Sequence, residues 1–146
     1  MPGAQSHADV VWQGDLIHGS GTLKVESGAI PEQPVTWASR TQRSKGKTSP
    51  EELLAAAQAA CYSMAFSGGL ARRGTPPTRL EVGATGSFEQ VEGGYKITTM
   101  ELEVKGVVPG LDQQRFETLA REQGCPVSNA LKGNVEIRIR AQLLPE

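Results

Sequence analysis

The sequence of 146 residues is poor in the residue types that mark several common protein classes. Two cysteines are too few for a disulfide framework, and two alone do not make a zinc site. The 15 basic and 16 acidic residues are mixed along the chain, without a basic block that would indicate nucleic-acid binding. A cysteine hydrolase needs a histidine base. The two histidines, His7 and His18, both lie near the first predicted hairpin and are expected to be surface or strand residues.

The sequence also lacks the usual signals for export and membrane insertion. Its first stretch, MPGAQSHADVVW, has no cationic start followed by an apolar run, so we expect no signal peptide. No apolar run approaches the ~20 residues that a helix needs to cross a bilayer. We therefore expect a cytoplasmic protein. In that compartment structural disulfides are rare, and a cysteine pair is more often catalytic or redox-active.

One long helix is predicted at the centre of the chain, over residues 50–73. Ser49 and Glu52 form a capping-box pattern around Pro50, and Gly74 ends the segment. Apolar residues occupy nearly the whole circumference, which predicts a buried helix. A single sheet can cover only one side of such a helix. We therefore expect a second copy of the chain to cover the other side, in an obligate homodimer with the central helices at or near its interface.

The remaining patterns predict a single α+β domain over residues 1–146, in which an antiparallel sheet packs on the buried helix. A shorter amphipathic helix is expected over residues 111–123. A polar, basic loop containing Arg43 leads into the central helix. The predicted strands cover residues 7–14, 19–26, 33–39, 78–91, 95–107 and 135–144.

Cys125 is expected at the start of a short helix. Pro126 suits the first helical position, which makes Cys125 the N-cap and places its sulfur beside unpaired backbone N–H groups. Such a position lowers the pKa of a thiol and favours reaction with another sulfur. The alternative is that the cysteine caps this helix by chance.

Cys61 lies in the middle of the central helix, where a free cysteine can be simply a small core residue. Apolar burial raises a thiol pKa, so a reactive Cys61 needs a fixed positive charge nearby. Arg40, at the end of the predicted third strand, is the candidate, with Arg43 as the fallback. Glu51 is the candidate to orient the arginine, although it can also be a favourable charge at a helix start. Glu51 lies roughly 15 Å from Cys61 along the helix, so it would have to come from the other subunit.

Two longer motifs resemble the OsmC/Ohr family of peroxidases, namely SPEELLAAAQAACYSMA around Cys61 and CPVSNALKGN around Cys125. The order of strands and helices is similar over nearly the whole chain. In the Ohr branch the active-site arginine lies in a glycine-rich stretch after the first strand, but the corresponding WQGDLIHGSG contains no arginine. This chain therefore looks like the OsmC branch, in which the active-site arginine lies nearer the central helix. The resemblance favours Arg40 for this role.

The resemblance implies a thiol peroxidase that acts in oxidative and osmotic stress, without a metal or other cofactor. Cys61 would reduce a hydroperoxide and become a sulfenic acid, and Cys125 would then form an intramolecular disulfide with it. An external dithiol, of lipoyl type or another small molecule, would restore both thiols. The apolar surroundings favour organic hydroperoxides over hydrogen peroxide as substrates.

Two other functions compete with this interpretation. The main alternative is a non-enzymatic stress-response or ligand-binding protein in which both cysteines are structural. A general disulfide oxidoreductase is less well supported, because the sequence has no C-x-x-C motif.

Overall fold

The computed structural model of the protein describes residues 3–42 and 46–146. Contacts within the chain divide it into two compact units, Met1–Pro50 and Glu51–Glu146. That all 146 residues form a single domain stays a prediction. Arg43, the fallback for the active-site arginine, lies outside the described residues.

The first unit contains a three-stranded antiparallel sheet in the order β1-β2-β3. Its strands are β1 (Ala8–Gln13), β2 (Ser20–Val25) and β3 (Gln33–Val35), and the predicted first hairpin is confirmed. The turn of this hairpin is closed by Asp15, whose carboxylate accepts a hydrogen bond from the His18 backbone N–H at 2.7 Å. His7 and His18 are both exposed, as the sequence predicts.

The predicted strand over residues 33–39 is wrong in its second half, which begins helix α1 (Trp37–Gln42). The physical reason is a reciprocal pair of hydrogen bonds. The Ser39 backbone N–H donates to Thr36 Oγ1 at 3.1 Å, and the Thr36 N–H donates to Ser39 Oγ at 3.2 Å. This arrangement caps a helix start in the manner of a capping box. Arg40 therefore lies on a helix and not at a strand edge, with its guanidinium 6.0 Å from the centroid of the Trp37 ring.

The second unit is built on the long helix α2 (Pro50–Arg72) and a second three-stranded sheet, β4-β5-β6. Strands β4 (Arg79–Val91) and β5 (Gly94–Val107) pair as a long antiparallel hairpin, and both strands predicted for this region are confirmed. The pairing register of this hairpin shifts between Ser87 and Phe88, which marks a β-bulge or irregularity.

The second sheet is mixed, and the predicted antiparallel pairing holds only for β4 and β5. Strand β6 (Glu136–Leu143) pairs with β5 in parallel. Between these strands the chain forms two helices, α3 (Gln113–Glu122) and α4 (Pro126–Leu131). A crossover of this length brings the chain back to the end of the sheet from which β5 started, and the next strand then runs parallel to it.

One face of α2 forms the core of the second unit. Tyr62, Phe66 and Leu70 recur at four-residue spacing on this face and are almost fully buried. They belong to a cluster that includes Met100, Leu102, Val104, Phe116, Leu119, Ala120 and Cys125. The expectation that α2 is buried all round is not met within one chain, because Met64 on the other side is 72% exposed.

Helix α2 must be compared with the expectation that no apolar run approaches the ~20 residues of a bilayer span. Within residues 3–42 and 46–146 it is the one helix of sufficient length and apolar composition to span a bilayer. Core helices of globular proteins meet the same two criteria, and one face of α2 packs in a protein core. Length and composition alone are therefore weak evidence for a span.

Candidate active site

Cys125 lies at the predicted N-cap of helix α4, and this position is confirmed. Its backbone is extended (φ −151°, ψ 163°), and Pro126 begins the helix. The Cys125 sulfur accepts a hydrogen bond from the Ser128 backbone N–H at 3.4 Å and lies 3.2 Å from the Ser128 hydroxyl oxygen. The residue is 3% exposed. The capping residue is thus a buried thiol surrounded by hydrogen-bond donors.

The donors around Cys125 favour its charged form. Burial acts to raise the pKa of the Cys125 thiol, but hydrogen bonds from the Ser128 hydroxyl and amide, from Cys61 and from the Val127 amide outweigh it, and the net pKa is lowered. This is the effect expected for a thiol at a helix N-cap. Cys125 is accordingly the better thiolate of the two cysteines.

Cys61 occupies the middle of α2 and is partly buried against the core cluster that contains Cys125. Burial raises the pKa of the Cys61 thiol, and the hydrogen bond to Cys125 raises it further, while the Val127 backbone N–H only partly opposes this. The interaction between the two thiols contributes to both shifts, raising the pKa of Cys61 and lowering that of Cys125. The two sulfurs are thus neighbours, and both cysteines are free.

Gln58, which is not among the predicted site residues, is fully buried on α2 and links this helix to α4. Its side-chain nitrogen donates to Ser128 Oγ at 2.8 Å and lies 3.6 Å from Cys125 Sγ. A signal was present in the sequence, because Gln58 is the single polar residue in the run LLAAAQAAC that ends at Cys61.

Tyr62, the residue after Cys61 on α2, connects this helix to α3. Its hydroxyl donates to the Ala120 carbonyl oxygen at 2.6 Å, and the side chain is fully buried. Burial, with a smaller contribution from Cys125, raises the pKa of Tyr62 far above its usual value, so the phenol stays protonated. Tyr62 therefore ties α2 to α3 beside the thiols and holds no charge there.

Arg40 belongs to the first compact unit of the chain and Glu51 to the second. Glu51 is 2% exposed in the first turn of α2. It lies on the same uninterrupted helix as Cys61, as the prediction assumed. Arg40 is half-buried in α1. The catalytic roles of Arg40, Glu51 and both cysteines stay predictions at this point.

The described part of the chain contains no group of three or more histidine, cysteine, aspartate or glutamate side chains that could hold a metal ion. The side chains that the structure brings together at this place include two neighbouring thiols.

Comparison with known proteins defines the class. A family model described as OsmC-like protein matches residues 43–140. Peroxiredoxin OsmC of Escherichia coli is 40% identical over 128 residues, which cover 86% of this chain and 89% of the relative. The organic hydroperoxide resistance protein of Xanthomonas axonopodis pv. citri is 33% identical over 63% of this chain and 65% of its own length.

Solved structures agree with this classification. The organic hydroperoxide resistance protein OhrB of Bacillus subtilis superimposes with a TM-score of 0.72 at 25% identity, over 93% of this chain and 98% of that one. An OsmC-like protein from Mycoplasma pneumoniae has the same fold, with a TM-score of 0.70 at 17% identity, over 97% and 99% of the two chains. The chain belongs to the OsmC-like family, and the predicted family and α+β fold class are confirmed.

Removal of the Ser128 hydroxyl is expected to raise the pKa of the Cys125 thiol. In Cys61→Ser protein, Ser128→Ala removes one donor to the Cys125 thiolate. A hydrogen bond to a charged group contributes roughly 1.5–3 kcal/mol, which corresponds to a pKa increase of about one unit or more. The thiolate forms as pH rises through the pKa, so the midpoint of the iodoacetamide reaction should move to higher pH.

Ser128→Thr keeps the hydroxyl and serves as the matched control, with its midpoint expected at the position found for Ser128. An unchanged midpoint in the alanine variant would show that the hydroxyl does not stabilise the thiolate.

Proposed function

We propose that this chain is a thiol-dependent hydroperoxide reductase that reduces organic hydroperoxides and, less well, hydrogen peroxide. The observation that carries the proposal is the pair of free, neighbouring thiols, Cys61 and Cys125, with Cys125 capped by donors at the start of α4. The names of the relatives, a peroxiredoxin and organic hydroperoxide resistance proteins, support the same activity. The cellular role is defence against oxidative and osmotic stress.

The first step assigns the attack on the peroxide to Cys61. Its thiolate attacks one oxygen of the O–O bond, which breaks, and the other oxygen leaves as an alkoxide that takes a proton to become the alcohol. Cys61 becomes a sulfenic acid. Because burial raises the pKa of Cys61, its thiolate needs a positive charge. Arg40 is the proposed source and Glu51 the residue that orients it.

The second step forms the disulfide and needs Cys125 as a thiolate. Cys125 attacks the Cys61 sulfur, the S–O bond breaks, and hydroxide leaves and takes a proton to become water. The donors around Cys125 outweigh its burial and lower its pKa, which favours the thiolate form of this nucleophile. An external dithiol, of lipoyl type or another small molecule, then reduces the disulfide by thiol exchange. The proposed compartment is the cytoplasm.

A homodimer is part of the proposal. On the side of α2 away from its core, Ala57, Ala60 and Met64 are exposed in the single chain at three- and four-residue spacing. A continuous apolar helix face of this kind is typical of an interface. A second copy would cover it, and the partner subunit's Glu51 could then serve a site on this chain.

The dimer can be tested with Met64→Arg, which places a charge on this face. A single chain tolerates the arginine in water, whereas a dimer would have to bury it. We expect the variant to sediment as a monomer at concentrations where the unmodified protein sediments as a dimer. Met64→Leu is the control and should remain dimeric. A monomeric unmodified protein would contradict the proposal.

The division of labour between the cysteines predicts two different defects. Cys61→Ser should abolish peroxide consumption, because the attacking sulfur is gone. Cys125→Ser should consume one equivalent of hydroperoxide and then stop, because no partner thiol forms the disulfide. Stopped-flow measurement of peroxide loss distinguishes the two, and an equal loss of the first turnover in both variants would refute the assignment.

Apolar residues that pack, as Cys61 does, against the core cluster of the second unit predict the substrate preference. Leu54, Ala65 and Val127 pack against the same core cluster as this cysteine. An apolar alkyl group gains free energy by leaving water for such surroundings, at about 0.8 kcal/mol per buried CH₂. We expect kcat/KM at least about tenfold higher for cumene hydroperoxide than for hydrogen peroxide. The opposite order in a coupled peroxidase assay would contradict this preference.

A further inference from the structure

Gln58 is a buried polar residue that the proposed mechanism does not yet use. It lies on α2, three residues before Cys61 and on the same side of the helix. Its side chain is completely inaccessible to solvent. It reaches from α2 to the first turn of α4 and donates to Ser128 Oγ at 2.8 Å. A glutamine placed in this way joins the helices that carry the two thiols.

The hydrogen bonds around Cys125 have a defined direction. The Gln58 side-chain nitrogen occupies Ser128 Oγ as an acceptor, and this leaves the single hydroxyl hydrogen of Ser128 to donate elsewhere. The Cys125 sulfur lies 3.2 Å from that hydroxyl oxygen. The same Gln58 nitrogen lies 3.6 Å from the Cys125 sulfur and has a second hydrogen to donate. Gln58 thus supports the Cys125 thiolate directly and through Ser128.

The carbonyl oxygen of Gln58 is buried and has no hydrogen-bond partner within residues 3–42 and 46–146. A buried acceptor without a donor is uncommon in folded proteins, because its lost hydration is not replaced. Conversion of the neighbouring Cys61 thiol to a sulfenic acid creates a new O–H donor on the same side of α2. The unpaired oxygen is therefore an acceptor available to the oxidised intermediate.

We propose that Gln58 is a positioning residue for disulfide formation. Its amide nitrogen holds Ser128 and Cys125 in the arrangement that stabilises the attacking thiolate, and its carbonyl oxygen accepts the hydroxyl hydrogen of the Cys61 sulfenic acid. This inference rests on the proposed hydroperoxide reductase function. In the step concerned, Cys125 supplies both electrons of the new S–S bond, the S–O bond breaks, and hydroxide leaves and is protonated to water. Gln58 itself is not consumed.

Gln58→Met tests the proposal because methionine keeps the length and lacks both hydrogen-bonding groups. Single-turnover stopped flow with one equivalent of cumene hydroperoxide follows the two steps separately. Peroxide consumption should stay within about twofold of the unmodified rate, whereas disulfide formation should slow by about tenfold or more. Dimedone should then trap sulfenic acid at Cys61. Equal slowing of both steps, or of neither, would overturn the proposal.

A second measurement requires no peroxidase activity. In the Cys61→Ser background, Gln58→Met should move the pH midpoint of Cys125 alkylation upward. Ser128→Ala combined with Gln58→Met should shift the midpoint less than the sum of the single shifts, because part of the effect passes through Ser128. Full additivity, or no shift for Gln58→Met, would exclude this link. If the unmodified protein consumed no peroxide, the proposed function would be refuted. The alkylation midpoints would still show whether Gln58 stabilises the Cys125 thiolate.

Gln113→Met is the matched control for the loss of a glutamine amide. Gln113 donates to the Ala141 carbonyl oxygen at 3.0 Å and accepts from the Leu143 N–H at 2.6 Å, so it joins α3 to β6. Its substitution should lower stability and leave the two steps and the Cys125 midpoint unchanged.

Gln58→Glu is the second variant, for use if circular dichroism shows that Gln58→Met does not fold. Glutamate keeps the acceptor and loses the amide donors, so the pH midpoint of Cys125 alkylation must rise. A normal midpoint would refute the proposal.

Discussion

The contact between the first turn of α4 and the middle of α2 is the interaction on which the site depends. The donors around Cys125 come from the start of α4 and from Gln58, and they reach a sulfur that also neighbours Cys61. Burial alone would raise the pKa of both thiols and leave them unreactive. Hydrogen bonds to the Cys125 sulfur outweigh its burial and lower its pKa, whereas the pKa of Cys61 stays raised. A pair of thiols in which one pKa is raised and the other lowered is suited to a sequence of attack and resolution.

The sheet and α3 serve this contact by fixing the two helices. The core face of α2 packs through Tyr62, Phe66 and Leu70, and Tyr62 also bonds to the last buried turn of α3. Phe66 lies 5.5 Å from Phe116 between ring centroids, which anchors the same pair of helices farther along. Side chains in a closely packed core have little freedom to move. The position of Cys61 relative to Cys125 is therefore set by the core and not by a flexible loop.

Most of the fold followed from local patterns in the sequence. The capping box and the closing glycine located α2 within a residue of its observed end, and Pro126 located the cap at Cys125. Two errors came from signals that compete with periodicity. Thr36 and Ser39 start a helix where β-branched and aromatic residues suggested a strand. The direction of β6 depends on the crossover through α3 and α4, which no strand pattern within residues 135–144 encodes.

The candidate site was less predictable than the fold, because it depends on contacts between distant parts of the chain. Both cysteines were identified from their own motifs, whereas Gln58 becomes interesting only once Ser128 is known to lie 2.8 Å away. The roles of Arg40 and Glu51 stay predictions. The most direct test of the account counts free thiols before and after one equivalent of cumene hydroperoxide and maps the product by mass spectrometry. The account predicts that both thiols disappear and that a Cys61–Cys125 disulfide forms. An unchanged thiol count would contradict it and favour a structural role for the two cysteines.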